Sequence, residues 1–191
     1  MIITHRNKLV EEEKMMRSAN AVIAACLVIV FTAVAAHAGW DANLETKARE
    51  TVAEFKKQDD SLNAFFSKAA GYAVFPTVGK GAVGIGGAHG KGVVFQGGGA
   101  IGETRLSQVT VGFQLGGQAY SEIVFFENKK TLDSFKTGNF NFAAQASAVA
   151  ASAGAGANAA YKNGVAVFTM AKGGLMYEAS IGGQKFSFTP K

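Results

Sequence analysis

The sequence predicts an α+β domain, in which N-terminal helices pack on a glycine-rich, mostly antiparallel β-sheet or partial barrel. Three observations carry this prediction. An amphipathic segment occupies residues 41–60, a glycine-rich stretch follows at residues 71–95, and alternating apolar patterns separated by double glycines continue to the C-terminus. A chain of this length buries enough apolar surface for one ordinary domain.

Two helices are predicted ahead of the sheet. Apolar side chains recur at helical spacing in the first segment, at Leu44, Ala48, Val52 and Phe55. Asp41 is suited to cap its start. A shorter helix over residues 62–70 carries Phe65 and Phe66. We expect both helices to pack on the sheet; the alternative is that one lies on a membrane surface with its aromatic side chains inserted.

The stretch at residues 71–95 is predicted to form tight β-hairpins. Its glycines disfavour a long helix and permit turns or close approach of another strand, and valine, isoleucine and phenylalanine between them favour strands. Residues 79–84 and 97–102 each fit G-x-G-x-x-G. A dinucleotide site needs a helix directly after that motif, and a strand pattern follows both matches, so no nucleotide cofactor is predicted.

The remaining chain shows strand patterns with one helix. Residues 107–115 alternate, with Val109 on the apolar side and Gln108 on the polar side. The other segments are a buried strand or short helix at 120–126, a helix at 128–135 ended by Gly138, and strands at 165–170, 175–181 and 185–188 that double glycines connect as hairpins. Residues 140–160 have small side chains; a strand pair is preferred there, partly on the resemblance to a known family described below, and a linker or an alanine-rich helix is the alternative.

The first 38 residues have the pattern of a signal peptide. Basic residues precede an apolar run at 21–36, and Ala36-His37-Ala38 offers small side chains at the positions that signal peptidase recognises. We predict cleavage after Ala38, a single domain over residues 39–191, and a periplasmic or extracellular location with peripheral membrane association. An uncleaved anchor is the alternative, because the run approaches the length of a membrane span. Lipidation at Cys26 is a further alternative.

Composition gives no support to catalysis. The single cysteine lies in the leader, and after the leader His89 is the only histidine, in a predicted turn. A zinc site needs three or four such ligands, and the carboxylates show no paired pattern, so no metal, cofactor or catalytic residue is predicted. The net charge of +5 permits an anionic partner without requiring one. The lysines are too dispersed to predict nucleic-acid binding.

Several short motifs, taken in order, resemble the SYLF-domain family over nearly all of the chain after about residue 45. They are Ala73-Val74-Phe75-Pro76, Gly84-Ile85-Gly86-Gly87, Gly90-Lys91-Gly92-Val93-Val94, Gln114-Leu115-Gly116-Gly117-Gln118, residues 122–140, residues 142–159 and residues 177–183. The resemblance implies a lipid-binding domain, which in eukaryotic relatives binds phosphoinositides and in fungi actin. For an exported bacterial protein, anionic phospholipid is the expected ligand, and actin is a partner only by family analogy.

The predicted function is therefore a non-enzymatic module that binds anionic phospholipid at a cell-envelope membrane. The candidate binding residues are lysines in or beside predicted glycine turns and the aromatic and basic residues of the helices: Lys80, Lys91, Lys172, Lys185, Lys56, Lys57, Phe65 and Phe66. The competing explanation for the turn lysines is that they keep hairpin ends soluble. The alternative function is a structural protein of the envelope that binds a protein partner through residues 143–160.

Overall fold

A computed structural model describes residues 40–83, 85–111, 118–138, 140–142, 147–172 and 179–191. These belong to one compact unit, Trp40–Lys191. The predicted leader lies outside the described residues, so its cleavage stays a prediction. No helix in the described ranges has the length and apolar character needed to cross a membrane.

The helices largely follow the predicted boundaries. Helix α1 spans Ala42–Gln58, and the Asp41 carboxylate accepts hydrogen bonds from the amides at its start, which confirms the predicted cap. The predicted second helix is divided into a 3₁₀ turn, Asp60–Leu62, and helix α2, Asn63–Lys68. Helix α3 spans Lys129–Lys136 and is followed by Gly138 in the left-handed region that favours glycine.

The described strands form an open, eight-stranded sheet. In chain order they are β1 Gly71–Val83, β2 Ile85–Gln96, β3 Gly99–Val111, β4 Gln118–Phe126, β5 Ser147–Ala150, β6 Val165–Lys172, β7 Ala179–Ser180 and β8 Lys185–Pro190. Their order in space is β7-β5-β6-β4-β1-β2-β3-β8. Among the described strand pairs, only β5–β6 is parallel. The α+β class with a mostly antiparallel sheet is confirmed, and the sheet is open.

Each face of the sheet has its own apolar core. On the first, here called the helix face, α1 and α2 cover one half of the strands and bury residues such as Val93, Phe125 and Phe168. On the other, the α3 face, α3 packs Leu132 and Phe135 against the sheet. Side chains alternate between faces along each strand, and both faces are covered here, which explains why β4 is buried from Tyr120 to Phe126 and confirms it as a buried strand.

The strand pairing differs from the predicted hairpins. The double glycines predicted that consecutive strands would pair as hairpins. Instead, β7 pairs with β5, and β8 pairs with β3. The strand pair predicted at 140–160 is also wrong: the described part contains only the short β5 and a second 3₁₀ turn, Ala155–Asn158. Residues 112–117, 143–146 and 173–178 lie outside the described residues, together with the parts of the predicted strands that fall there.

The orientation of β3 is opposite to the one expected from its apolar pattern. Gln108 is buried on the α3 face, where its Nε2 donates to the carbonyl of Gly182 at 2.9 Å. Val109 therefore lies on the helix face, beyond the helices, and is 76% exposed. A long-range hydrogen bond to a turn near the end of the chain thus outweighs the local preference for a buried valine.

The C-terminal residue closes on the beginning of the unit. The Lys191 amide donates to the Ile101 carbonyl, and its Nζ lies 3.2 Å from Glu45 Oε2 and 4.2 Å from the centre of the Trp40 ring. Trp40 and Lys191, at the two ends of the unit, are therefore in contact.

Gly92→Ala is expected to lower the free energy of unfolding, because a Cβ at Gly92 would lie 2.5 Å from the Val74 carbonyl oxygen and 2.7 Å from the Phe75 ring. Overpacking of this kind costs about 1–3 kcal/mol. Gly79→Ala is the matched control, since a Cβ there meets nothing within 4 Å. Urea unfolding of both variants tests this; equal midpoints would contradict it.

Candidate functional site

The half of the helix face that the helices leave uncovered forms a basic surface, here called the basic face. Directly paired residues in a sheet share a face, so the register assigns its members. One row runs across six strands: Lys172, Ala119, Gly79, His89, Ser107 and Lys185. A second row contains Thr77, Lys91, Arg105 and Ser187, and a third contains Gly81, Gly87 and Val109.

The cations of the basic face are exposed and concentrated at one side. Lys91, Arg105 and Lys185 are exposed; Lys91 pairs directly with Arg105, and Lys185 is diagonal to Arg105 on the neighbouring strand, so their β-carbons lie within roughly 8 Å of one another across each strand pair. His89 is exposed between them and Lys172. The row from Lys172 to Lys185 is about 24 Å wide.

No acidic residue occurs in these three rows, and within the described part of the chain their lysines and arginine form no salt bridge. Glu103, two residues before Arg105 on the same face of β3, lies at the boundary of the basic face. Its Oε1 accepts the Asp41 amide at 2.8 Å, where α1 begins. The positive charges therefore face solvent without a compensating carboxylate on the same rows, which favours binding of an anionic surface.

An apolar side chain lies at the edge of these charges. Val109 is one of two large apolar residues exposed in the described structure. It is two residues from Ser107 on the same face of β3. Gly79 and Ser107 lie between the cations of the first row, and Gly81 lies in the third row, so few side chains protrude there and the surface is flat at the scale of a side chain.

Lys80, a predicted site residue, lies on the other face of the sheet. It pairs with Ala88, which in turn pairs with Gln108, and both are buried on the α3 face. Lys80 and Lys91 are also strand residues, whereas both were expected in or beside turns, and His89 is in β2 instead of the predicted turn.

The predicted helix residues are placed in packing contacts. Phe65 is 8% exposed and its ring centre lies 5.1 Å from that of Phe168. Phe66 is partly buried at 4.8 Å from Phe125, and Lys56 Nζ lies 4.7 Å from the Phe66 ring centre. Lys57 is exposed at the end of α1. These four are grouped with one another, apart from the rows of the basic face.

Sequence reasoning missed Arg105, His89 and Val109 as members of this surface. The available signal was the i, i+2 spacing of Arg105, Ser107 and Val109 along one strand. That signal becomes informative only when the register places β3 beside Lys91 and Lys185. In the described ranges, no group of three or more metal-binding side chains converges.

The α3 face contains a buried carboxyl group, Glu122. It is fully buried, and its Oε2 accepts a 3.1 Å hydrogen bond from Gln184 Nε2. Among the described residues, Glu122 Oε1 has no hydrogen-bond partner, and the same holds for Thr169 Oγ1, directly opposite on β6, and for Gln184 Oε1. Burial raises the pKa of Glu122 to about 7, although the hydrogen bond from Gln184 opposes the rise.

The fold and the basic face define an α+β domain with a flat cationic sheet surface half covered by helices. Residues 107–190 match the family model Ysc84, described as Las17-binding protein actin regulator. This match confirms the predicted resemblance over residues 107–190, which are similar to the Ysc84 (SYLF) family, a family known for lipid-binding, actin-regulator domains.

A curated relative extends the similarity beyond that segment. Beta cell expansion factor A of Aeromonas veronii is 27% identical over 144 residues, which cover 75% of this chain and 55% of the relative. The chain therefore spans about half the length of the curated relative that it matches.

Proposed function

We propose that residues 40–191 form a non-enzymatic module that binds anionic phospholipid through the basic face. The observation that carries this proposal is the concentration of Lys91, Arg105 and Lys185 on an exposed, flat sheet surface without a carboxylate on the same rows. Each such cation near an anionic membrane contributes about 1 kcal/mol. Val109 would add apolar contact with the interface. The Ysc84 (SYLF) match supports lipid as the class of ligand.

The location belongs to the same proposal. A leader with the pattern of a signal peptide directs the domain out of the cytoplasm. Outside the cytoplasm, the domain associates peripherally with an envelope membrane. Phosphatidylglycerol-type lipids carry the negative charge that the basic face requires, and no actin is needed for such binding.

The test is co-sedimentation of residues 39–191 with vesicles of neutral lipid and of rising anionic content, at two salt concentrations. Lys91→Glu, Arg105→Glu and Lys185→Glu are combined in one variant. Since each reversal removes about 1 kcal/mol or more of attraction, we expect affinity for anionic vesicles to fall about a hundredfold at low salt.

The matched control combines Lys56→Glu, Lys57→Glu and Lys80→Glu, which change the net charge equally but lie away from the basic face. We expect it to keep most of the binding. An equal loss in both variants would indicate that net charge, and not this surface, determines binding. Equal retention on neutral and anionic vesicles would reject the function itself.

A further inference from the structure

A second candidate site lies at the other end of β6 from Lys172. It is a cavity of about 480 Å³, within the size range of small-molecule sites. Its walls are apolar and come from four parts of the chain: Phe140, Phe142, Ala148, Val165, Val167 and Ile181. Except for the partly buried Phe140, these side chains are at most 7% exposed, whereas Val149, which also lines the cavity, is 37% exposed. The largely apolar lining is suited to an alkyl chain.

The rim of the cavity is polar and positively charged. Lys162, Asn163, Asn158 and Asn141 also line the cavity, and all four are exposed. Lys162 is exposed and, in the described structure, forms no salt bridge. Glu127, whose amide binds the carbonyl of Gly164, is not among the lining residues. The cavity therefore combines an apolar interior with one cation and several amide groups at its opening.

A tight turn fixes the position of Lys162. The backbones of Lys162 and Val165 exchange two hydrogen bonds, of 2.8 and 3.1 Å. Asn163 and Gly164 between them both have positive φ, as a type I′ turn requires. A Cβ at Gly164 would lie 2.5 Å from Thr131 Oγ1, so the turn packs closely on α3. The cation thus stands at the opening on a constrained backbone.

We propose that this cavity binds a long-chain carboxylate, with the alkyl chain between Phe142 and Val167 and the carboxylate at Lys162. Charge complementarity selects this occupant, because a wholly apolar ligand would make no use of the lysine and asparagines at the rim. The site is distinct from the basic face, since Lys162 pairs with Val165 at the start of β6 and Lys172 ends β6, roughly 23 Å further along the strand. The proposal does not rest on the proposed function.

The test is calorimetric titration of the full chain with dodecanoate below its micelle concentration, with dodecanol as the uncharged ligand of equal length. We expect saturable binding of one dodecanoate per chain and weaker binding of dodecanol. Lys162→Glu reverses the charge at the rim and should weaken dodecanoate binding about tenfold. Ala160→Trp fills the opening from an exposed position and should abolish it.

Two controls separate the possible results. Thermal unfolding of both variants checks that they fold, and the variant with reversed Lys91, Arg105 and Lys185 should bind dodecanoate as the wild type does. Loss of vesicle binding without loss of dodecanoate binding therefore tests the basic face alone. Absence of saturable binding, binding that neither cavity variant alters, or equal binding of dodecanol would each overturn the proposal.

Discussion

Glu122→Gln is expected to become more stable than wild type as the pH rises. The difference between the two free energies of unfolding should grow in favour of the variant by about 3 kcal/mol between pH 4.5 and pH 8. The reason is the buried carboxyl on β4, whose pKa burial raises from 4.5 to about 7. Such a rise corresponds to about 3 kcal/mol of preference for the neutral form. Glutamine keeps the shape and the hydrogen-bonding capacity of that neutral form and does not ionise.

The sign follows from proton linkage. Below the pKa that Glu122 has in the unfolded chain, its carboxyl is protonated in both the folded and the unfolded state. In that range Glu122 therefore does not make the free energy of unfolding depend on pH. Between 4.5 and about 7 the unfolded chain releases the proton while the folded protein retains it, so wild-type stability falls as pH rises. Above about 7 the loss is complete.

The measurement is urea unfolding of wild type and Glu122→Gln at pH 4.5, 6, 7 and 8. The difference between the two free energies of unfolding removes the contribution of all other titrating groups. Glu127→Gln, which removes an equal charge at an exposed position just beyond β4, is the matched control. A difference for Glu122→Gln that stays constant with pH would refute the assignment.

Asp59→Ala is expected to lower the free energy of unfolding by about 3 kcal/mol or more at neutral pH, because hydrogen bonds to a charged acceptor contribute about 1.5–3 kcal/mol each. The buried Asp59 carboxylate accepts hydrogen bonds from the amide and hydroxyl of Ser61. It also accepts the amides of Gly154 and Gly156, nearly a hundred residues along the chain. Alanine leaves these donors without their acceptor.

Asp60→Ala tests whether the effect belongs to Asp59 itself. Asp60 is adjacent and exposed, and we expect a change of at most about 0.5 kcal/mol there. Although burial opposes it, hydrogen bonds from Ser61, Gly156 and Gly154 hold the pKa of Asp59 below its ordinary value. The Asp59 contribution should therefore disappear as the pH falls below 4. Equal unfolding midpoints for the two variants would contradict this prediction.

Local chemistry predicted the elements that depend on neighbours in sequence. Asp41 caps α1 as predicted, because its side chain bonds amides only two and three residues away, and the predicted helix at 128–135 corresponds to α3, whose start Asn128 caps. The alternating and apolar patterns likewise identified β3 and β4. None of these predictions required knowledge of what lies across the sheet.

Pairing between distant strands could not be predicted in the same way. Double glycines indicate a turn but not the strand that the chain meets after it, and β8 meets β3, formed far earlier in the sequence. The direction of Gln108 depends on the Gly182 carbonyl for the same reason. The basic face could not be predicted for the same reason, because Arg105 becomes a neighbour of Lys91 and Lys185 only through the pairing register of β3 with β2 and β8. Phe65 and Phe66 pack against Phe168 and Phe125 of the sheet, as the preferred expectation for the helices stated, and not as the membrane-inserting alternative required.

The contact between Trp40 and Lys191 holds the start of the unit in place. Its position affects how strongly a form of this domain that is anchored by its leader would bind a membrane. Asp41 bonds Glu103, which is two residues from Arg105 on the same face of β3. Any segment attached ahead of Trp40 is thus joined to the domain beside the basic face. A leader retained in a bilayer would hold that face at a local concentration in the millimolar range. Cleavage of the leader would remove this increase in local concentration, and membrane binding would then depend only on the intrinsic affinity of the basic face. Processing of the leader would therefore change the strength of attachment without changing any residue of the basic face.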